Sequence, residues 1–296
     1  MASNKKQIFI DKTKKTFVSL KKTFFGNRKS ITGTSIVILF ILLAVFGPII
    51  FPLDESINAS NQLLGPSWKH PFGTNLWGID VFRQVVKGSR NVLSVAVITA
   101  VITLVLATVL GISSGLIGGI YDRVIQFITN ALLTIPSLPV FLILAAIFTV
   151  NNIFVFSFIL AFFNWAGLCR AIRSQVISLK ERDFIQICKV MKMSKFHIVF
   201  KELLPNIASY IIISFVIIMK NAITGAVSLM FLGVVALEPT NWGAILAVAK
   251  NNGALLIPQA YMWLFGPIVT IGLFQLGVIL LSSGLDEALN PRLRVL

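Results

Sequence analysis

Apolar residues in this chain gather into six runs, each long enough to cross a hydrocarbon core as a helix: about 34–52, 91–117, 124–149, 152–168, 206–235 and 262–283. The fourth is marginal in length. Between the fourth and fifth lies the only sizeable polar interior segment, residues 170–205. Within it Phe184, Ile187, Cys188 and Met191 recur at helical spacing, and so do Phe196, Val199, Phe200 and Leu203. That pattern predicts a hairpin of two short amphipathic helices at about 176–204, broken at Lys192 to Ser194. Ser194 is placed to cap the second helix.

Smaller features punctuate the runs. After the first run comes a loop of nearly forty residues, with a Pro, Gly and Asn cluster at 70–78 that predicts a turn and then a short helix leading into the second run. The second run closes with Ala107, Gly111, Gly115 and Gly119 on one face, a stripe that lets helices approach closely in lipid. The last of these glycines is also placed to make the turn before Tyr121. Pro136 and Pro139 interrupt the helical ladder of the third run near its middle, next to Asn130 and Thr134. The fifth run overshoots a bilayer core, at roughly 45 Å. Residues 244–250 read as one more short helix before the breaker Asn251 to Gly253.

Composition turns these runs into a class. The chain has 296 residues, of which 56% are hydrophobic and 12% charged, so an all-α integral membrane protein with six transmembrane helices is expected. Its net charge of +15 is concentrated at two places, with nine Lys and Arg in residues 1–29 and eight in the hairpin segment. The positive-inside rule places both termini and the hairpin in the cytoplasm of a multi-pass protein. Attraction to anionic lipid then explains the basicity, and no nucleic-acid partner is implied. The resulting organisation is a basic amphipathic segment over 1–33, a first span and outer loop over 34–90, a five-helix core over 91–284, and a cytoplasmic tail over 285–296. Cys169 and Cys188 both fall on the reducing side, so no disulfide is expected. The first apolar run is span-length and no small-residue cleavage site follows it, so it reads as a retained span.

Candidate chemistry is sparse. No catalytic residue and no metal ligand set emerges: His70 and His197 are assigned to opposite faces, and no paired carboxylates lie within a span. There is no Gly-rich phosphate loop ending in Gly-Lys-Ser or Gly-Lys-Thr. Lys220 is the sole ionisable residue of the six runs, and too deep for its stem to reach water unless the fifth run is drawn too long at its cytoplasmic end. With Thr224, Asn130 and Asn164 it forms the set of candidate path residues. An ion-coupled secondary transporter or channel subunit is the alternative reading, but such proteins place several ionisable or carbonyl-lined sites at mid-membrane.

Four blocks carry a resemblance: HPFGTNLWGIDVF at 70–82, ALLTIPSLPVFL at 131–142, WAGLCRAIRSQVISLKERDF at 165–184 running on to KELLPN at 201–206, and LDEALNPRLR at 285–294. In this order they resemble the permease subunits of binding-protein-dependent ABC importers, in particular the second, shorter permease of the dipeptide, oligopeptide and nickel branch. The resemblance implies a type I importer permease fold whose hairpin is a coupling helix docking on a cytoplasmic ATPase. It also implies a second homologous permease, two ATPase subunits that bind ATP and Mg, and an extracytoplasmic substrate-binding protein, all at the cell membrane. No cofactor is implied on this chain. The cargo would be a peptide, nickel or a metal chelate.

The family's loop signature falls on Gln186, Ile187, Cys188, Lys192, Leu204 and Pro205, of which only Leu204 and Pro205 match. With Phe184 and Met191 these form the expected ATPase-coupling set. Lys192 stands where the family has glycine. A left-handed backbone there costs lysine on the order of 1 kcal/mol, so a turn rebuilt at negative φ, or moved by one residue, is expected. Asn75, Asn130, Ala226, Ser283 and Asn290 stand where the family usually has an acid.

Overall fold

The computed structural model describes residues 27–147, 150, 152–235 and 237–289. Most of the basic amphipathic N-terminal segment, and the tail from Asn290 onward, lie outside them. The helices are α1 (Arg28–Ile50), α2 (Val81–Ile117), α3 (Gly119–Thr134), α4 (Ser137–Ile147), α5 (Ile153–Lys180), α6 (Asp183–Val190), α7 (Lys195–His197), α8 (Leu204–Phe231), α9 (Trp242–Asn251) and α10 (Tyr261–Leu289). Five helical stretches are long and apolar enough to cross a membrane, or six when α3 and α4 are counted as one bent span. The protein is an all-α, multi-pass membrane protein.

Three elements differ from the sequence pattern for identifiable reasons. The third run is two helices meeting at an 83° bend. Pro136 has no N–H for the Leu132 carbonyl, and its ring opposes the preceding turn, so the ladder stops there instead of kinking. The second run and its lead-in form one helix of 37 residues, started by Asp80, whose carboxylate accepts the Arg83 N–H at 2.9 Å. The fourth run extends to Lys180, well past its apolar limit, because Ile172 and Val176 remain fully buried against α2 while the polar residues turn outward.

The chain divides into two units. Among the described residues, one combines 27–40 with 272–289. In it the first half of α1 and the second half of α10 touch through glycines: a Cβ on Gly33 would fall 2.2 Å from the Leu281 backbone, and one on Gly284 2.6 Å from Ser30. Phe40 meets Phe274 edge-on at 5.2 Å.

The other unit, Ile41–Ile271, is built on the contact of α2 with α5. A Cβ on Gly111 would lie 2.8 Å from the Cys169 carbonyl, and one on Gly115 2.8 Å from Val176. Close backbone approach of this kind holds helices together where water exclusion cannot. Gly119, expected on the same stripe, packs against nothing. It and Gly118 take φ of +64° and +69° and form the reversal from α2 into α3. The opposite end is closed by the 70–80 loop. There Asn75, fully buried, accepts the backbone N–H groups of Trp77 and Ile79 at 2.9 and 3.0 Å, and His70 donates to Asp80 at 2.7 Å. An amide at position 75 supplies the acceptor an acid would, without a second buried charge beside Asp80. α9 is anchored here by the Trp242 indole N–H, which donates to the Val85 carbonyl at 2.9 Å.

The two kinds of glycine make different demands. Gly111→Val should lower the thermal unfolding midpoint of the purified protein by the equivalent of about 1–3 kcal/mol through overpacking. Gly119→Ala should lose about 1–2 kcal/mol through backbone strain alone. A Gly111 variant as stable as wild type would show that the α2–α5 contact can open.

Candidate coupling surface and mid-span cavity

The hairpin hangs from the end of α5, and that end is fastened twice. Arg173 grips Asp122 at the start of α3 with two parallel hydrogen bonds, Nε to Oδ1 and Nη2 to Oδ2, both 2.5 Å. The Ser114 hydroxyl donates to the same carboxylate from α2. One turn beyond Val176, Lys180 donates to the Leu116 carbonyl at 3.1 Å, placing an ammonium on the C-terminal end of α2. A bidentate guanidinium–carboxylate pair fixes orientation as well as distance. Sequence reading missed this junction, since the partners lie 51 positions apart and nothing local marks them.

From this anchor the chain turns into α6. Gln186, at the signature's acidic position, donates through Nε2 to the Lys180 carbonyl at 2.9 Å and so ties α6 back to the end of α5. Ile185 and Cys188 are buried against the chain's own helix ends. Cys188 therefore leaves the expected docking face. Phe184, Ile187 and Met191 stay on it, joined by Val190, which the sequence reading did not include. Ile187, Val190 and Met191 are 57%, 83% and 64% exposed. On the return limb Phe196 and Phe200 are also exposed and stack at 4.4 Å.

The turn contradicts the expectation for Lys192, which adopts φ +54°. The reason is a completed helix C-cap. The Lys192 N–H donates to the Lys189 carbonyl and the Met193 N–H to the Cys188 carbonyl, each at 3.0 Å. These two bonds are the Schellman pattern, which demands a left-handed residue at the position lysine occupies. Ser194 then caps the return limb as expected, accepting the His197 N–H at 3.2 Å. The limb does not break at Pro205. A π-helical turn over Ile198–Leu203 widens the ladder ahead of the proline ring, and helix runs on from Lys195 to Phe231. Leu203 is buried, Leu204 half-buried and Pro205 exposed at the start of α8.

The four candidate path residues do not converge. Asn130 accepts a hydrogen bond from the Arg170 guanidinium, a neutral amide in the place of an acid. Thr224 donates to the Lys220 carbonyl at 3.0 Å within its own helix. Lys220 is half-buried, with no ion pair among the described residues. Of the four, Asn164 lines a cavity of about 290 Å³ beside the α3–α4 bend. Ile135 and Ser137 line it from the bend, Leu160 and Asn164 from α5, and Asn221 and Gly225 from α8. Asn221, adjacent to Lys220 but on another face and outside the expected set, lines it as well.

Replacing Lys192 with glycine should relieve the left-handed strain and stabilise the hairpin by about 1 kcal/mol. Slower amide hydrogen exchange over residues 183–197 in Lys192→Gly is the measurement. Faster exchange would mean that the lysine side chain holds the turn.

Comparison with known proteins agrees with this architecture. Residues 107–295 match the family described as binding-protein-dependent transport system inner membrane component. The dipeptide transport system permease protein DppC of Alkalihalophilus pseudofirmus is 33% identical over 285 residues, covering 95% of this chain and 90% of that protein. DppC of Bacillus subtilis is 31% identical, covering 90% of this chain and 83% of that protein. The glutathione transport system permease protein GsiD of Shigella dysenteriae is 30% identical, covering 92% and 89%. With matches spanning nearly the whole chain and a bundle of five or six apolar helices carrying a basic hairpin, this protein belongs to the inner-membrane permease components of binding-protein-dependent transport systems.

Proposed function

We propose that the chain is one of two permease subunits of an ATP-driven importer, forming half of a path for peptides delivered by a substrate-binding protein. Peptide cargo is favoured because the similar permeases named above serve dipeptide and glutathione transport. The hairpin lies in the cytoplasm, as do both termini, in keeping with its lysines and arginines. ATP and Mg are bound by partner ATPase subunits, and a binding protein meets the opposite face.

The observation that carries this reading is the uncovered apolar face of α6. Phe184, Ile187, Val190 and Met191 protrude from a segment otherwise rich in Lys and Arg, and each larger side chain is worth roughly 1.5–3 kcal/mol when buried. An ATPase groove is the occupant we assign. ATP-driven closure of the ATPase pair would shift the hairpin and select one packing of the permease pair over the other.

Ile187→Asp combined with Met191→Asp should release the ATPase subunits from the detergent-solubilised complex and abolish stimulated hydrolysis. Retention of both would sink the docking face. Lys220 supplies a separate check. The helix ends at Phe231, not Val235, leaving Lys220 about 16 Å of helix from that end, where lipid exposure would cost roughly 2.5–3.5 kcal/mol. We assign its charge to a carboxylate of the second permease or of the cargo. Lys220→Met should reduce peptide uptake at equal complex yield, and wild-type uptake at every peptide concentration would remove it from the path.

A further inference from the structure

The cavity at the α3–α4 bend has three properties that belong together. It is polar yet uncharged, with Asn164, Asn221 and Ser137 in its lining and no ionisable side chain. It lies at mid-membrane depth and opens on the surface of this chain, where Asn221, Ile135 and Ser137 are exposed: Asn164 is about 16 Å of helix from the start of α5 and Asn221 about 15 Å from the end of α8, both counted from the side opposite the hairpin. Half of a hydrocarbon core about 30 Å thick is the same distance. And it sits where backbone is irregular at membrane depth, an arrangement tolerated only against protein or a polar cavity.

The unused hydrogen-bonding groups define what would fit. Pro136 cannot donate to the Leu132 carbonyl, and Leu132 lines the cavity. Asn164 commits one N–H to the Leu160 carbonyl at 2.7 Å, leaving its Oδ1 and a second N–H. The Asn221 amide has no hydrogen-bond partner among the described residues. Donors and acceptors therefore stand side by side, with no charge to attract or repel an ion. Gly225 keeps the space open, since a Cβ there would already touch Leu160 at 3.4 Å. At about 290 Å³ the volume is at the small end of ligand pockets, room for part of a peptide and not for a long one.

We propose that this cavity is a transit subsite for a neutral backbone amide of the cargo, with Asn164 and Asn221 pairing its C=O and N–H midway across the membrane. The proposal rests on the reading of the chain as a peptide permease and adds the group recognised and the residues that recognise it. Charged peptide termini find no partner in the cavity and are held elsewhere. A site built to pair both halves of an amide discriminates against one whose N–H is methylated, because its own acceptor is then left unpaired.

The test uses the complete transporter in proteoliposomes, with saturating binding protein loaded with alanyl-alanine or with its analogue methylated at the peptide nitrogen. Uptake is normalised to assembled complex. Wild type should carry alanyl-alanine faster than the analogue, while Asn164→Leu and Asn221→Leu should slow alanyl-alanine about five- to tenfold and erase the preference. Gly225→Leu, which fills the cavity without removing a polar group, should produce the same loss and guards against misfolding of the asparagine variants. Wild-type uptake in all three variants, or equal wild-type uptake of the two peptides, overturns the subsite while leaving the peptide permease intact. A wild-type complex that moves neither peptide overturns the peptide reading and the subsite with it.

Discussion

The contact on which this structure depends is the one between the backbones of α2 and α5 at Gly111 and Gly115. Lipid tails are as apolar as the side chains they surround, so burial gives no net drive to pair helices. Close van der Waals approach supplies it instead. With α2 and α5 pressed together, Ser114 and Arg173 come within reach of Asp122, and Lys180 reaches the end of α2. The hairpin inherits its position from that junction. Further along the same two helices, Val95 and Phe156 are buried together with Leu229 and Met230 of α8.

Much of this was legible in the sequence, because spans, caps and turns are written in local patterns. Apolar run length announced the membrane helices, Ser194 announced the return limb, and residues 244–250 with the breaker Asn251 to Gly253 marked most of α9. What escaped was non-local. The Arg173–Asp122 pair joins residues without any shared motif, and Asn221 gains meaning only when α8 sets it across from Asn164. Run length also misjudged α5, since a helix can continue through polar residues while one face stays buried. Lys192 is the instructive case. Propensity argued for negative φ, yet two backbone hydrogen bonds at the end of α6 required the left-handed form and outweighed a strain on the order of 1 kcal/mol.

The departures from the family's acidic pattern divide by local chemistry. Asn75 and Asn130 keep an acceptor where an acid would stand, one serving backbone N–H groups and the other the Arg170 guanidinium. Ala226 is buried among Phe156, Leu160 and Leu229, where a carboxylate would find no water and no cation among those neighbours. Ser283 is exposed on α10 and nothing in the structure explains the change there. The neutral substitutions have one common effect: they leave the chain's positive charges less compensated from within.

The length of α5 has a mechanical meaning. It is an unbroken helix of 28 residues, roughly 42 Å long, tied to α2 and α3 near the hairpin by Arg173 and Lys180, and to α2 again near its other end, where the Ser157 hydroxyl donates to the Val95 carbonyl at 3.5 Å and the Thr99 hydroxyl to the Ser157 carbonyl at 3.3 Å. Held to one neighbour along its length, it does not tilt alone: a displacement at α6 reaches the opposite side of the membrane as a joint movement of α2 and α5.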